Sequence, residues 1–486
     1  MASPRQFDLV LRGADVVDGT GVARFRADVG ICADRIAAVG EIGQGRATEE
    51  LDVGGLVVAP GFIDVHTHDD RMVLAAPENL PKITQGVTTV VTGNCGISLA
   101  PLVFQGAVPE PLNLLAPAAN AFFRSFEEYV AAIEQKSPAV NVVPLVGHMT
   151  LRTSFVSRPD APATDAEVRT MSEALRKSLQ AGAFGFSSGL AYPLSRDAST
   201  LEVISLAKVA GEMGGIYTTH LRDESDGILQ AIAESLLTAR EAGVRLIMSH
   251  HKCSGISAWG RSVESLAALD DAAKEVDFGF DAYPYTASST VLSAGKVRRA
   301  KQTMVTWSDP FPEMSGRALE EIARAWSCTQ EEACRRLAPA GAIYFNMDEA
   351  DVQRILKHPR CMIGSDGLPH DKHPHPRLWG TFPRVLGHYV RKLGLYSLEE
   401  GVHRMTGLTA SRLGLQDRGA VRQDAFADLC VFDPNSIEDL ADFTHPTRPA
   451  AGIRYVIVNG SVVVRQGQLT GRHAGRLLTR SGRNPA

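Results

Sequence analysis

Six side chains in this 486-residue sequence combine metal-binding chemistry with positions that could bring them together. Each comes at the end of a short apolar run, and they are His66, His68, Cys95, His220, His250 and Asp366. Imidazole, thiolate and carboxylate are the donor groups by which proteins hold zinc. One such histidine is more often a satisfied, partly buried side chain, but the set as a whole predicts a zinc site.

The spacing of the histidines indicates which of them share a face. His66 and His68 lie in GFIDVHTHDD, and residues i and i+2 of a strand point to the same side, so both rings can point inward. By the same alternation His251 should point away from the site that His250 faces, and we do not count it among the candidate ligands. His148 also ends an apolar run, and ligand and structural roles are equally open for it.

The runs that carry these residues have the character of parallel strands. There are eight, separated by helical stretches: LVVAPGFIDVHTH, GVTTVVTG, NVVPLVGH, AFGFSSG, GGIYTTH, VRLIMSH, DFGFDAYPY and CMIGSDG. Repeated strand–helix alternation predicts an α/β fold with a parallel sheet, and eight strands predict a closed (β/α)₈, TIM-like barrel. Residues at the C-terminal ends of such strands converge on one site, as the candidate ligands require.

The chain ends have a different texture. Residues 1–60 and 415–486 contain short alternating runs broken by Gly and Asp, with a hairpin signal at Asn459-Gly460. They predict a small β-sandwich domain built from both ends, around a barrel of residues 61–414. The gap between the seventh and eighth runs, at about residues 287–357, is longer than a βα unit needs and predicts an insertion that covers the site.

Composition excludes several classes of protein. Hydrophobic residues make up 44%, enough for a large core, and the net charge of −5 gives no basic field for nucleic acid. No run approaches the ~20 apolar residues of a membrane span. Seven irregularly spaced cysteines without a C-x-x-C pair, and no signal-peptide pattern, predict reduced thiols in the cytoplasm. Composition does not predict the oligomeric state.

Several motifs together resemble the N-acyl-D-amino-acid deacylases (D-aminoacylases) of the amidohydrolase superfamily, and within that family we favour the N-acyl-D-glutamate deacylase type because of the basic cluster described below. The H-x-H pattern alone is a weak signal, whereas the Cys95 motif and the segment from Asp366 to Arg377 are specific. The resemblance covers nearly the whole chain. The segments that carry it are GFIDVHTHDD, TGNCGIS, SSGLAYP, THLRDE, SHHK, DAYPYTASST and IGSDGLPHDKHPHPRLWGTFPR.

The resemblance implies a zinc enzyme that hydrolyses the amide of a small N-acyl amino acid. It implies a tight Zn²⁺ position at Cys95, His220 and His250, and a weaker position at His66, His68 and Asp366. Asp366 would act as general base towards the zinc-bound water and then return the proton to the leaving amine. D-stereochemistry follows from the resemblance alone.

A substrate α-carboxylate needs cationic partners. The resemblance implies Lys252, Tyr283 and Arg377 for this role, with Tyr192 as a further hydrogen-bond donor. Lys252 follows His250 by two residues and should therefore share its inward face. Without the resemblance, Lys252 and Arg377 would each more often be solvated surface charges.

A basic cluster in the predicted insertion bears on the substrate's own side chain. The cluster contains Lys296, Arg298 and Arg299, and a guanidinium suits an acidic partner. We therefore expect Arg298 to contact the substrate, and N-acyl-D-glutamate to be favoured. N-acyl-D-aspartate and a broad D-aminoacylase specificity are the alternatives, and an exposed helix face would explain the same charges without any function.

Two other interpretations compete with a linear-amide hydrolase. Cyclic-amide hydrolases of the superfamily use a carboxylated lysine after the fourth strand, and AFGFSSGLAYP contains no lysine. A non-catalytic scaffold on the same barrel would tend to lose metal ligands, whereas the set is complete here.

Overall fold

The computed structural model describes residues 6–104, 106–116 and 118–480. The chain begins with five strands of a sheet, in which β1 pairs antiparallel with β2 and parallel with β4 and β5. They are β1 (Phe7–Val16), β2 (Phe25–Cys32), β3 (Arg35–Gly40), β4 (Ala47–Asp52) and β5 (Val57–Pro60).

Seven parallel strands follow, and they correspond to the first seven runs predicted for the barrel. They are β6 (Phe62–Asp64), β7 (Val87–Thr92), β8 (Asn141–Gly147), β9 (Gly185–Gly189), β10 (Ile216–His220), β11 (Arg245–Met248) and β12 (Phe278–Ala282). Each strand is hydrogen-bonded to the next along the chain, and the residues are almost all buried. A continuous apolar pattern is expected for strands that are covered on both faces.

Helices connect these strands. They are α1 (Met72–Ala75), α2 (Leu80–Ile83), α3 (Phe126–Lys136), α4 (His148–Phe155), α5 (Asp165–Gln180), α6 (Thr200–Glu212), α7 (Ile228–Ala242) and α8 (Ser262–Ala272). Their starts follow from side-chain capping. Thr164, for example, forms a capping box with Glu167 at the start of α5, which satisfies backbone N–H groups that the helix itself cannot.

An insertion follows β12. Its three antiparallel strands are β13 (Ala287–Val291), β14 (Gln302–Ser308) and the central β15 (Ala340–Phe345), with the helices α9 (Ala294–Val297), α10 (Leu319–Ala325) and α11 (Gln330–Leu337). The predicted end near residue 357 is too late. The next helix, α12 (Glu349–Lys357), packs against α8 and belongs to the barrel.

The eighth barrel strand, β16 (Cys361–Ile363), pairs with β12. On its other side Thr67 bridges Gly367, and the Asp366 amide donates to the His66 carbonyl at 2.8 Å, so the barrel is nearly closed. The predicted barrel fold is confirmed. The helices α13 (Arg377–Arg384), α14 (Leu398–Met405) and α15 (Gly407–Leu413) follow, with a π-helix at Val385–Lys392.

The last strands return to the terminal sheet. They are β17 (Leu429–Phe432), β18 (Ile453–Val458), β19 (Ser461–Arg465) and β20 (Gln468–Leu469). β17 pairs antiparallel with β5, which joins both chain regions into one nine-stranded sheet around a shared apolar core. The chain then leaves this sheet, and Leu477 bridges Val142 of barrel strand β8. Within the described ranges, no helix is long and apolar enough to cross a membrane.

Candidate metal centre and substrate cavity

Three of the candidate residues occupy unusual backbone conformations at the ends of their strands. Cys95, His250 and Asp366 have φ values of +53°, +35° and +51°. Side chains with a Cβ rarely adopt this region, at a cost on the order of 1–3 kcal/mol each. Such strain persists where surrounding structure enforces it, and here it coincides with three of the predicted ligands.

The donor atoms of the candidate ligands meet over the mouth of the barrel. The Cys95 Sγ lies 3.2 Å from His66 Nε2, 3.2 Å from His250 Nε2 and 3.7 Å from His220 Nδ1. Zn–N and Zn–S bonds of about 2.0–2.3 Å would place tetrahedral donors roughly 3.3–3.8 Å apart. The donor set and its spacing therefore fit a zinc ion.

The thiol at the centre of this group is set up to ionise. Burial raises the pKa of Cys95, but the neighbouring His66 and His250 outweigh it and hold the pKa well below the ordinary value. The thiolate is the form that binds metals. Cys95 is only 2% exposed, so solvent competes little for it.

Asp366 lies beside the cluster and contacts a second cation. Its Oδ1 is 3.2 Å from His68 Nε2 and 3.6 Å from His66 Nε2, and its Oδ2 is 2.8 Å from a guanidinium nitrogen of Arg377. Burial raises the pKa of Asp366, but Arg377 and the histidines reverse the effect and hold it well below the ordinary range. The carboxylate is thus held ionised at neutral pH, which is the form that a general base requires.

The profile of the Amidohydrolase family matches residues 49–288 and 295–464 of the chain. The chain belongs to the amidohydrolase family. Three curated relatives come from Alcaligenes xylosoxydans xylosoxydans. A D-aminoacylase is 49% identical over 98% of each chain. An N-acyl-D-aspartate deacylase is 47% identical over 95% of this chain and 93% of its own, and an N-acyl-D-glutamate deacylase is 46% identical over 98% and 97%.

Two solved structures of N-acyl-D-amino-acid deacylases are similar to this amidohydrolase in sequence and fold. A D-aminoacylase crystal structure is 50% identical with a TM-score of 0.95, covering 98% of this chain and 100% of the other. The N-acyl-D-glutamate deacylase of Bordetella bronchiseptica, complexed with zinc and a phosphonate inhibitor, is 45% identical with a TM-score of 0.94, covering 97% and 99%. The predicted resemblance to N-acyl-D-amino-acid deacylases is confirmed.

Two carboxylates of this amidohydrolase that the sequence interpretation missed lie behind the histidines. Asp281 Oδ2 is 3.3 Å from His66 Nδ1, and its Oδ1 accepts from the His250 amide at 2.9 Å. Glu224 Oε1 is 2.9 Å from His250 Nδ1, and its Oε2 is 3.7 Å from His220 Nε2. Carboxylates in this position fix the tautomer and ring orientation of a ligand histidine. The available signal was THLRDE, where Glu224 follows His220 by four residues.

Of the residues predicted to hold an α-carboxylate, Lys252 and Tyr283 line the same cavity, whereas Arg377 is fully buried beside Asp366. Lys252 Nζ lies 2.5 Å from Glu224 Oε1, and the Arg377 guanidinium lies 4.5 Å from the ring centre of Tyr283. The Tyr283 hydroxyl and the Arg377 Nε are buried and have no hydrogen-bond partner within the described ranges. Buried polar groups without partners are rare, and the Tyr283 hydroxyl belongs to a residue that lines the cavity and is available to a ligand. Tyr192 stands at the edge, its ring 5.0 Å from that of His220.

Arg298 is not in the cavity of the amidohydrolase, contrary to expectation. Its side chain is 64% exposed, and its guanidinium lies 3.8 Å from Glu331 Oε1 on the insertion's outer side. The cause is helix α9, a single turn that ends before Arg298 and separates residues two apart onto different faces. Lys296, two residues earlier, lines the cavity instead.

Two further histidines have structural partners. His148 Nε2 pairs with Glu202 Oε1 at 2.8 Å, and the same oxygen lies 2.6 Å from Arg152, so His148 belongs to a buried ion-pair network behind the barrel strands. His251 Nε2 lies 3.0 Å from Ser265 Oγ of α8 and faces away from the cluster, as strand alternation predicts.

Proposed function

We propose that this amidohydrolase hydrolyses the amide bond of N-acyl-D-amino acids with the help of zinc, releasing a carboxylate and the free D-amino acid. The observation that carries the proposal is the meeting of Cys95, His220 and His250 beside an ionised Asp366, in a cavity that also presents cations. The D-configuration rests on the relatives, all three of which are named for D-amino-acid substrates.

The resemblance to the D-aminoacylases supports two metal positions among these donors. Cys95, His220 and His250 would hold the tight Zn²⁺, and His66, His68 and Asp366 would line a second, weaker position. Zinc at these positions would supply a bound water with a pKa of about 7 and a positive charge that stabilises negative charge on the oxygen of the scissile carbonyl. Asp281 and Glu224 would keep the ligand rings in the tautomer that presents a lone pair to the metal.

Asp366 performs the proton transfers. It takes one proton from the attacking water as the water oxygen bonds to the carbonyl carbon. It then delivers that proton to the amide nitrogen as the C–N bond breaks, so that the amine leaves neutral. The Arg377 contact favours the ionised form before the first transfer. His68, 3.2 Å away, helps to hold the carboxylate in place.

Three groups would bind the α-carboxylate of the substrate. Lys252 at the cavity wall and Arg377 beside Asp366 would supply charge, and the Tyr283 hydroxyl would supply a neutral donor. Charge-assisted hydrogen bonds are roughly twice as strong as neutral ones. Tyr192 would add a donor at the rim, where its hydroxyl now lies 3.5 Å from Thr290 Oγ1.

The side-chain subsite would favour an acidic substrate through Lys296. The wall around this lysine is polar: Ser254 and Ser288 line the same cavity, and Asn346 hydrogen-bonds to both serine hydroxyls. A carboxylate of D-glutamate or D-aspartate finds both charge and hydrogen-bond donors there, whereas a leucine or methionine side chain would desolvate them. N-acyl-D-glutamate therefore stays the favoured substrate, with Lys296 in the role expected of Arg298.

A substrate screen tests the proposal directly. Purified, zinc-loaded protein is assayed with the N-acetyl derivatives of D- and L-glutamate, aspartate, leucine and methionine, measuring release of free amino acid. We expect turnover of D-derivatives only, with glutamate first. A protein that binds stoichiometric zinc yet hydrolyses none of them would contradict the proposal, and a protein that binds no zinc would favour a scaffold.

The Cys95 thiolate must stay reduced to bind metal. We therefore propose that the protein works in a reducing compartment such as the cytoplasm.

Paired substitutions decide between the two basic residues of the insertion. Lys296→Met should lower kcat/KM for N-acetyl-D-glutamate by roughly 10-fold, because a hydrogen bond to a charged group is worth about 1.5–3 kcal/mol and solvent around the exposed Lys296 screens part of it. The same enzyme should gain slightly on N-acetyl-D-methionine. Arg298→Leu is the matched control, since its charge faces Glu331 outside the cavity, and it should keep the wild-type preference. The reverse pattern would show that Arg298 turns inward when substrate binds.

A further inference from the structure

The substrate cavity has two walls of opposite chemistry. One wall is apolar and consists of Ile97, Leu114 and Leu368, which are 1%, 7% and 5% exposed. The other carries Lys252, Lys296 and the hydroxyl groups of neighbouring serines. A single ligand that fills this cavity must therefore have one apolar end and one charged end.

Strand order places Ile97 and Leu114 of the apolar wall across the barrel mouth from Lys252. Ile97 and Leu114 follow β7, and Leu368 follows β16, so the apolar wall is built from loops on either side of β6. Glu224 follows β10 and Lys252 follows β11. In the ring of eight strands, β11 is four places from β7, so Lys252 lies directly across the mouth from the loop that carries Ile97 and Leu114, whereas Leu368 follows β16, two places from β11.

The reacting groups lie next to the apolar wall. Ile97 comes two residues after Cys95, and Leu368 comes two residues after Asp366. An amide carbonyl carbon carries the acyl chain on one side and the nitrogen, with its amino acid, on the other. If the amino acid's carboxylates extend to Lys252 and Lys296, the acyl chain extends towards Ile97, Leu114 and Leu368.

We propose that this apolar wall is the acyl-group subsite, that it accepts a short unbranched aliphatic acyl chain, and that Leu114 sets its depth. The proposal rests on the proposed deacylase function and adds the acyl class to it. Leu114 ends a 3₁₀ turn, Leu112–Leu114, that packs into the barrel's main apolar core, so the side chain is held against movement. A chain longer than the subsite would have to displace it, and a well-packed core resists such displacement.

An acyl-chain series tests the subsite. Formyl, acetyl, butanoyl and hexanoyl derivatives of one D-amino acid, the best substrate of the wild type, are compared by kcat/KM. Wild type should favour acetyl over hexanoyl. Leu114→Ala should raise the butanoyl-to-acetyl ratio by roughly 10-fold or more, the scale on which a hydrophobic pocket senses one or two methylenes.

Two further variants control for loss of packing and for poor folding. Leu112→Ala removes a fully buried leucine from the same turn that does not line the cavity, and its acyl ratio should match the wild type even if stability falls. Leu114→Val is a milder enlargement should the alanine variant fold poorly. Because each ratio is measured within one preparation, the folded fraction cancels.

The possible outcomes distinguish failure of the acyl subsite from failure of the proposed deacylase function. Wild type that hydrolyses no N-acyl amino acid would overturn the function itself. Wild type that hydrolyses them, with an unchanged acyl ratio in both Leu114 variants, would overturn the subsite alone. A ratio that changes equally in Leu112→Ala, or that changes in Lys296→Met, would place the acyl chain elsewhere and overturn it as well.

Discussion

Asp366→Asn should lower kcat by about 10²–10⁴-fold, the contribution typical of a positioned general acid–base group. An amide of the same size cannot accept a proton from water, while zinc at Cys95, His220 and His250 should be retained. The measurements are steady-state kinetics together with zinc content per protein. The variant also removes the anionic partner of buried Arg377, so thermal unfolding is recorded to confirm that the fold is intact.

Asp371→Asn provides the matched control. It makes the same chemical change five residues later in the same loop, outside the cluster of candidate ligands. This variant should turn over substrate at close to the wild-type rate. If Asp366→Asn did the same, another group would have to be the base.

Cys95→Ala should remove most of the bound zinc and, with it, most of the activity. Zinc binding at a four-ligand protein site is worth about 10–16 kcal/mol, so one ligand contributes roughly 3 kcal/mol, or about two orders of magnitude in affinity. No other thiol among the described residues joins the cluster. Metal content after dialysis against a weak chelator, followed by turnover with and without added zinc, measures the effect.

A second buried thiol separates this effect from simple loss of packing. Cys361 lies on β16, is fully buried, and has its pKa raised to about 12 by that burial, so it stays protonated. Cys361→Ala should keep its zinc and its turnover. Normal zinc content in Cys95→Ala would show that histidines and Asp366 suffice and would exclude the thiolate as an essential ligand.

The barrel can be predicted from the sequence because the apolar runs that form its strands end in the candidate ligands. The same segments therefore indicate both the fold and the position of the site. Each candidate ligand ends an apolar run, and strand alternation assigns His66, His68 and His251 to the correct sides. Asp281 was not predicted as a partner of the ligand histidines, because a buried carboxylate on a strand has no distinguishing local pattern until its partners on other strands are known. Glu224 lies in a loop, where alternation gives no direction.

For the basic cluster of the insertion, the local sequence pattern does not determine which side chain faces the cavity. Lys296 and Arg298 would share a side if the segment were extended, but the single turn of α9 separates them. A turn of four residues has almost no propensity signal of its own, because so short a helix is unstable without tertiary packing. The end of the insertion was misplaced for a related reason: α12 belongs to the barrel only through its contact with α8.

The pairing of β5 with β17 also has a consequence for how the protein is made. About 370 residues separate these neighbouring strands, so a ribosome adding roughly 5–20 residues per second delivers the second one about 20–70 seconds after the first. During that interval the edge of β5 is open to other chains, and open edges promote aggregation. Slower translation of the barrel, or a shortage of chaperones, should therefore reduce the yield of soluble protein more than it changes the stability of molecules already folded.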